Sequence, residues 1–420
     1  MKRLKVLVSA YACEPGKGSE PGIGWHTAKA LAAHHDIWVL TRANNRPAIE
    51  AELGRDPVPN LHFAYYDLPN WASWWKKGGR GVRLYYYLWQ VAAYFVARDL
   101  HRKIDFDLTH HVTFGMYWTP SFVALLPPPF VWGPVGGGES APKAFWSDFS
   151  SRGQRYERLR EINQWVATKD PFIRATAARS VKALTTTEET LEKLKALPLR
   201  DASVQGNCAL SESDLSLLGK LAKEPSAASA NRVVFVSIGR LLHWKGYHLA
   251  LRAFAAARLE STEYWIIGDG PERSELESLA LELGIANKVS FLGKLPREKT
   301  LQKLAASDAL LHPSLHDSGG WVTLEAMAAR KPVVCLDLGG PATQVTQQTG
   351  IKIAAHSPEQ VVRDLAEALR CLAGDGARLE AMGQAGRARV EEVYSWTYKG
   401  RKLNEVYQQI SERIRGGEEL

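Results

Sequence analysis

Two doubly wound α/β domains are predicted from three observations. Short apolar runs alternate with stretches of helical period, as strands do when helices cover both faces of their sheet. The alternation breaks in a Ser- and Ala-rich stretch at 210–230 and restarts at Arg232. Finally, 420 residues, 45% of them hydrophobic, suffice for two or three cores at about 100–200 residues each.

In the first half the strand-like runs are 5–10, 37–41, 62–66, 107–111 and 130–132, with a helix over 82–100. The connection at 210–230 carries Pro225 and one short helical pattern at 214–221. The second set of runs is 232–238, 264–267, 288–292, 309–312 and 332–336. From Pro358 the pattern is helical, with Val361, Leu365, Leu369 and Leu372 on one face. A break at Tyr394-Ser395-Trp396 precedes a last helix over 398–414, and the acidic end 417–420 reads as a loose tail. The boundaries that follow are 1–207 plus the closing helix 395–420 for the first domain and 208–394 for the second.

Composition excludes several classes. The excess of 53 Lys and Arg over 45 Asp and Glu, a net charge of +8, is too dilute for a nucleic-acid footprint. Cys13, Cys208, Cys335 and Cys371 lie far apart without a CxxC pair, which argues against a disulfide framework or zinc knuckle and points to a reducing cytoplasm. Lys5 interrupts the short apolar start, so it reads as a first strand rather than a signal peptide. No run reaches the roughly 18–20 apolar residues that cross a bilayer. Asp105-Phe106-Asp107 has a metal-site spacing but leads into a strand, so no metal and no cofactor is expected. No HExxH, P-loop or nucleophile elbow occurs.

One stretch invites two readings. Trp71, Trp74, Trp75, Tyr85, Tyr86, Tyr87 and Trp89 interleave with Lys76, Lys77, Arg80 and Arg83. The rings pack a core or acceptor pocket, or they meet the headgroups of an anionic membrane as a peripheral contact.

The second domain opens with strand 233–238, then Gly239-Arg240 and Lys245-Gly246 before a helix. That order sets Arg240 and Lys245 at the carboxyl edge of the sheet, where open α/β sheets bind ligands. A planar guanidinium and a compact ammonium together suit a diphosphate. After strand 309–312, the turn Asp317-Ser318-Gly319-Gly320 precedes a helix over 321–329. Its glycines allow close backbone approach, and its N-terminal amides favour anions. Glu325 lies among Leu324, Ala326, Met327 and Ala328, so as a buried carboxylate it needs a partner such as ribose hydroxyls.

Ser237-Ile238-Gly239-Arg240-Leu241 with Lys245-Gly246, Ile267-Gly268-Asp269-Gly270-Pro271, Phe291-Leu292-Gly293, His312-Pro313-Ser314 and Leu324-Glu325-Ala326-Met327-Ala328-Ala329 follow one another in order. Together they resemble the donor half of the retaining family-4 glycosyltransferases, group 1, of the GT-B fold. Gly18-Ser19-Glu20 and the stretch 204–207 are similar to the first domain of that family. The end of the chain resembles its crossover helix.

The resemblance implies two Rossmann-like domains facing a central cleft, with the last helix crossing back to the first. It implies metal-independent transfer of a sugar from a nucleoside-diphosphate sugar to a glycan or lipid-linked acceptor, in polysaccharide or glycolipid assembly. Arg240 and Lys245 would hold the diphosphate; Leu292 and Gly293 would lie by the base. Gly319, Gly320, Trp321, Val322 and Thr323 would face phosphate and sugar, Glu325 the ribose, and Gly18 the donor. Asp317 stands where the family has Glu, one methylene shorter, and would meet sugar hydroxyls. Asn207-Cys208 replaces the usual Asn-Gly. His111, with His110 as second choice, would lie near the transferred sugar, and Gly136 and Gly137 with His111 would line the acceptor side. Two other readings stay open: a nucleotide-sugar epimerase of the same fold, or a nucleotide-sugar binding protein without catalysis.

Overall fold

The computed structural model describes residues 3–76, 81–222 and 232–417. Lys77 and Arg80 of the aromatic stretch, residues 223–230 of the interdomain connection with Pro225, and the last three residues lie outside the described residues. The chain divides into two compact units. The first comprises Met1–Gly138, Ile162–Cys208 and Trp396–Leu420, and the second comprises Glu139–Glu161 and Ala209–Ser395.

The first unit is built on a seven-stranded sheet of β1 (Lys5–Ser9), β2 (Asp36–Thr41), β3 (Leu61–Tyr65), β4 (Leu108–His111), β5 (Phe130–Val135), β6 (Ser180–Thr185) and β7 (Ala202–Val204). Its spatial order is β3-β2-β1-β4-β5-β6-β7, and every pair is parallel. Val6, Leu7 and Val8 are fully buried, as consecutive residues must be in a strand covered on both faces. Two strands escape the reading of apolar runs. Lys182 interrupts β6 and pairs with Asp201 at 2.9 Å, while β7 has three half-buried residues. β5 continues through Gly133-Pro134, past its expected end, with a register shift against β6 between Trp132 and Val135. The closing helix Trp396–Arg415 belongs to this unit. It packs on helix Ser19–Ala32 at Gly400, where a Cβ would come within 3.0 Å of the Ala30 carbonyl oxygen.

The aromatic stretch splits. Tyr85, Tyr86 and Trp89 are core residues on helix Val82–Ile104. Trp71 and Trp74 are 80% and 76% exposed, and Leu84, Leu88 and Phe95 form an exposed stripe at helical spacing.

The second unit holds a six-stranded parallel sheet of β8 (Val233–Ile238), β9 (Thr262–Ile267), β10 (Val289–Gly293), β11 (Ala309–His312), β12 (Val333–Leu336) and β13 (Gly350–Ile353), in the order β10-β9-β8-β11-β12-β13. Helix Pro358–Ala373 buries Val361, Leu365, Leu369 and Leu372 completely, the face that the i, i+4 pattern selects. β13 has only four residues with Lys352 among them, too short an apolar signal to read.

The division at 207/208 needs one correction, because residues 139–161 group with the second unit. Phe145 and Phe149 share its core with Phe235, Leu241 and Tyr247, and Arg252 donates to Asp148 at 2.7 Å. Two large rings fully removed from water, at roughly 2–3 kcal/mol each, decide where the segment packs, and nothing in its local sequence period reveals the partner.

Each sheet has one place where its strand order reverses, between β1 and β4 in the first unit and between β8 and β11 in the second. Crevices at the carboxyl ends of strands flanking such a reversal are the ligand sites of open α/β sheets.

Candidate functional site

In the second unit the loops after β8 and β11 carry the residues that the motifs single out. Gly268 and Gly270, after β9, let that loop pack backbone on backbone against the loop after β8. A Cβ on Gly268, at φ 144°, would lie 1.9 Å from the Gly239 carbonyl oxygen, so only glycine fits. Gly246, at φ 68°, likewise abuts the Pro313 carbonyl, locking the Lys245 turn against the strand-β11 loop. Arg240 is exposed, and its guanidinium has no hydrogen bond or ion pair among the described residues. Leu292 and Gly293 end β10, and Gly268 N donates to the Gly293 carbonyl at 2.8 Å.

Lys245 is engaged. Its Nζ lies 2.5 Å from Asp317 Oδ2, with His312 Nε2 3.2 Å from the same oxygen. Asp317 Oδ1 accepts from the amides of Gly319 at 3.3 Å and Gly320 at 3.2 Å. Burial alone would raise the Asp317 pKa, but Lys245 and His312 hold it well below the carboxylate range, so the pair is ionised. Both Asp317 oxygens are thus committed within the loop, which departs from the expected contact with sugar hydroxyls. Instead Asp317 orients Lys245 and caps the turn that leads into helix Trp321–Ala328. That helix starts at Gly320, at φ 60°, without a side-chain cap. In its first turn Trp321 Nε1 and Thr323 Oγ1 are buried without a hydrogen-bond partner among the described residues, and Val322 is half-buried between them.

Glu325 is buried, and its Oε1 accepts from Arg297 Nη1 at 2.6 Å. Arg297 also reaches Asp214 at 3.0 Å. Burial raises the Glu325 pKa and Arg297 opposes the rise. Oε2 accepts no hydrogen bond from the described residues, which leaves one acceptor for a ribose hydroxyl.

Residues that motif reading missed come from the segment 139–161. Glu157 is fully buried, with Oε1 3.0 Å from His243 Nε2 and 3.5 Å from His316 Nε2. These histidines pull its pKa down to about 2 against the cost of burial. The Trp244 ring is sandwiched between Tyr156 and His316, both at 5.0 Å and nearly parallel. Ser318 Oγ donates to Glu139 Oε2 at 2.6 Å, and Arg160 Nη2 donates to the Glu139 carbonyl at 2.7 Å. Helix Ser151–Ala167 therefore rivets both ligand loops from one side. The only sequence signal was a charged, aromatic helical stretch, which does not name its partners.

In the first unit the two histidines are buried and hydrogen-bonded within the fold. His110 Nδ1 lies 2.5 Å from the Tyr407 hydroxyl of the closing helix, and its Nε2 faces the Gly133 carbonyl. His111 Nδ1 lies 3.0 Å from Ser121 Oγ, and its Nε2 3.4 Å from the Tyr86 hydroxyl. Burial lowers their pKa values to about 4 and about 3, so both rings are neutral. With every ring nitrogen partnered inside the fold, neither presents a free edge for a sugar.

Gly136 and Gly137 also serve internal packing. Gly136 N donates to the Gly115 carbonyl at 2.6 Å, and Gly137, at φ 92°, lies against the Trp118 ring. Gly18 is exposed at the start of helix Ser19–Ala32 with open space where a Cβ would be. Glu20 accepts from Phe114 N at 2.8 Å. Asp107, in the Asp-x-Asp run, accepts from Lys5 N at 2.8 Å.

The strand reversal of the first unit is lined by rings. Tyr11 follows β1 and Phe114 follows β4, with centroids 4.7 Å apart and Tyr85 and Tyr86 beside Tyr11. After β2, Arg42 Nε donates to Asp67 Oδ1 at 2.8 Å, and Asp67 also accepts from the Tyr85 hydroxyl at 2.8 Å.

The family model for glycosyl transferases group 1 matches residues 220–389. Among curated proteins, 152 residues are 34% identical to 2-deoxystreptamine glucosyltransferase of Streptomyces kanamyceticus, over 36% of this chain and 38% of that protein. The curated relatives reported by these matches are spanned over no more than half their length. Among solved structures, sucrose-phosphate synthase from Thermosynechococcus elongatus aligns with a TM-score of 0.65 at 16% identity, over 98% of this chain and all of that one. Anabaena HepE, solved with UDP and glucose, aligns with a TM-score of 0.62 at 19% identity, over 97% of this chain and all of that one. Two parallel doubly wound sheets, the ordered loop motifs of the second and these matches lead to one conclusion: the chain has the GT-B fold, and its residues 220–389 match the group 1 glycosyl transferases.

Proposed function

We propose that this protein transfers a sugar, with retention, from a nucleoside-diphosphate sugar to an acceptor hydroxyl in polysaccharide or glycolipid assembly. The observation that carries the reading is the unpaired Arg240 beside the Lys245–Asp317 pair at the strand reversal of the second unit. Arg240 meets the diphosphate as a free fork. Lys245, held by Asp317, keeps further N–H donors for a phosphate oxygen. As the sugar–phosphate bond breaks, negative charge builds on the leaving diphosphate, and these pre-placed cations with the amides of helix Trp321–Ala328 stabilise it without a metal ion or cofactor. Glu325 Oε2 takes the ribose, and Leu292 and Gly293 lie by the base. HepE was solved in complex with UDP and glucose, which supports a donor of this class.

The exposed Trp71, Trp74, Leu84, Leu88 and Phe95, with the Arg98 guanidinium 5.3 Å from the Phe95 ring, support peripheral contact with an anionic membrane at its cytoplasmic face. A lipid-linked acceptor would be met there.

A thermal-shift screen across nucleotide-sugars, followed by donor turnover, tests the reading. Arg240→Ala should lower kcat/KM for the donor by roughly 100-fold or more, the scale for losing one charge-stabilising group. The Lys245–Asp317 pair also suits a nucleotide-sugar binding protein. A donor that binds but is never transferred or hydrolysed would decide for that alternative.

A further inference from the structure

The first unit carries a cationic pocket at its own strand reversal that the donor site does not use. Three carboxyl ends converge there: Tyr11 after β1, Arg42 after β2 and Asp67 after β3, with Phe114 after β4 closing the aromatic floor. Arg42 stacks over the rings of Tyr11 and Tyr85, at 5.2 and 5.1 Å, while Asp67 holds its Nε. Asn45 fixes the loop from below, donating to the Tyr11 carbonyl at 3.2 Å and to Thr41 Oγ1 at 2.9 Å. Lys76 Nζ lies 4.6 Å from the face of the same Tyr85 ring, and burial beside Arg42 lowers its pKa. A cavity of about 410 Å³ adjoins, lined by Gly81, Val82, Arg83, Phe114 and Met116.

Charge does not balance in this crevice. Among the described residues Asp67 is ion-paired with Arg42, and neither Lys76 nor the exposed Arg83 has an ion-pair partner. Holding Lys76 partly desolvated next to another cation costs free energy that a bound anion would return. The aromatic floor meanwhile offers faces on which the C–H side of a sugar ring or an apolar chain can lie.

We propose that the acceptor carries a phosphate group, and that Lys76 and Arg42 bind it, with Arg83 supplying a further cation at the adjoining cavity, while Tyr11, Tyr85 and Phe114 support the adjoining sugar or chain. This rests on the glycosyl-transfer reading for the word acceptor, but the pocket itself stands on its own geometry.

The test uses the full chain and two probes, glycerol 3-phosphate and farnesyl phosphate, each against its unphosphorylated counterpart, glycerol or farnesol. Binding is measured by calorimetry on wild type, on the Lys76→Ala/Arg83→Ala double variant and on Arg240→Ala. Phosphate-dependent binding of either probe, weakened by roughly tenfold or more in the double variant and unchanged in Arg240→Ala, is the expected result. Preference for the farnesyl probe identifies a lipid-linked source, and preference for the glycerol probe a soluble one. Binding that survives the double variant, vanishes with Arg240→Ala, or is absent for both probes overturns the proposal. Donor turnover, measured separately, distinguishes failure of this pocket from failure of the transfer reading: phosphate binding without turnover removes only the latter.

Discussion

The two units reverse strand order in the same way, yet the loops at the reversal carry different chemistry. In the second unit, charge is counted out in pairs: Lys245 with Asp317, Arg297 with Glu325, and His243 and His316 around Glu157, while Arg240 has no ion-pair partner among the described residues. In the first, the floor is aromatic, Asp67 is shared by Arg42 and Tyr85, and His110 and His111 have no carboxylate partner among the described residues. One architecture thus provides a rigid, pre-charged seat in one half and an apolar, electropositive seat in the other. Topology places a ligand site, and side chains decide what it takes.

Acid should separate the two units most sharply. The folded-state pKa values of His110 and His111 lie at about 4 and about 3, below the ordinary 6.5. The unfolded chain therefore binds more protons below pH 6.5, and stability falls as the pH drops through that window. His312 and His316 are also lowered by burial, but Asp317 and Glu157 beside them oppose the shift. His35 in the first unit and His248 in the second are lowered to about 4 as well, so between pH 7 and 5 the first unit, with three such rings, should lose roughly 4–6 kcal/mol and the second less. Hydrogen exchange resolved by segment checks this; earlier loss of protection in 232–395 would reverse the contrast.

Next in size is Glu157→Ala, which leaves His243 and His316 unpaired in a buried site. A loss of roughly 2–3 kcal/mol, about 5–10 °C in melting temperature for the second unit, is expected, with Glu157→Gln milder. A melting temperature within 1 °C of wild type would remove the segment 139–161 from the account of the site. Smallest is the surface. Replacing Trp71 and Trp74 by Ala should reduce sedimentation with anionic vesicles several-fold and leave the melting temperature unchanged, since both rings are exposed. Equal sedimentation of the variant would end the membrane assignment.

Much of this was readable beforehand where the signal was local. The strands of the second unit, the buried face of helix Pro358–Ala373 and the order of the loop motifs all follow from short-range pattern. The strands β6, β7 and β13 were not, because a lysine, a three-residue length and an edge position erase the apolar run. Motif reading put Asp317 toward sugar hydroxyls and His111, with His110 second, near the transferred sugar. It had no access to the partners, since Lys245 is 72 residues from Asp317 and Tyr407 is 297 residues from His110.

By itself, then, the sequence determined the class of fold, the carboxyl-edge position of Arg240 and Lys245, and the family that residues 220–389 match. Those depend on periodicity and on glycines that neighbouring backbone makes obligatory. Only the tertiary structure decided which charges are free and which are spent. The pairing of Asp317, the Glu157 clamp and the unbalanced cations around Tyr85 are set by distances between residues far apart in the chain. Coulomb energy and desolvation depend on those distances and on burial, and neither is written in local order.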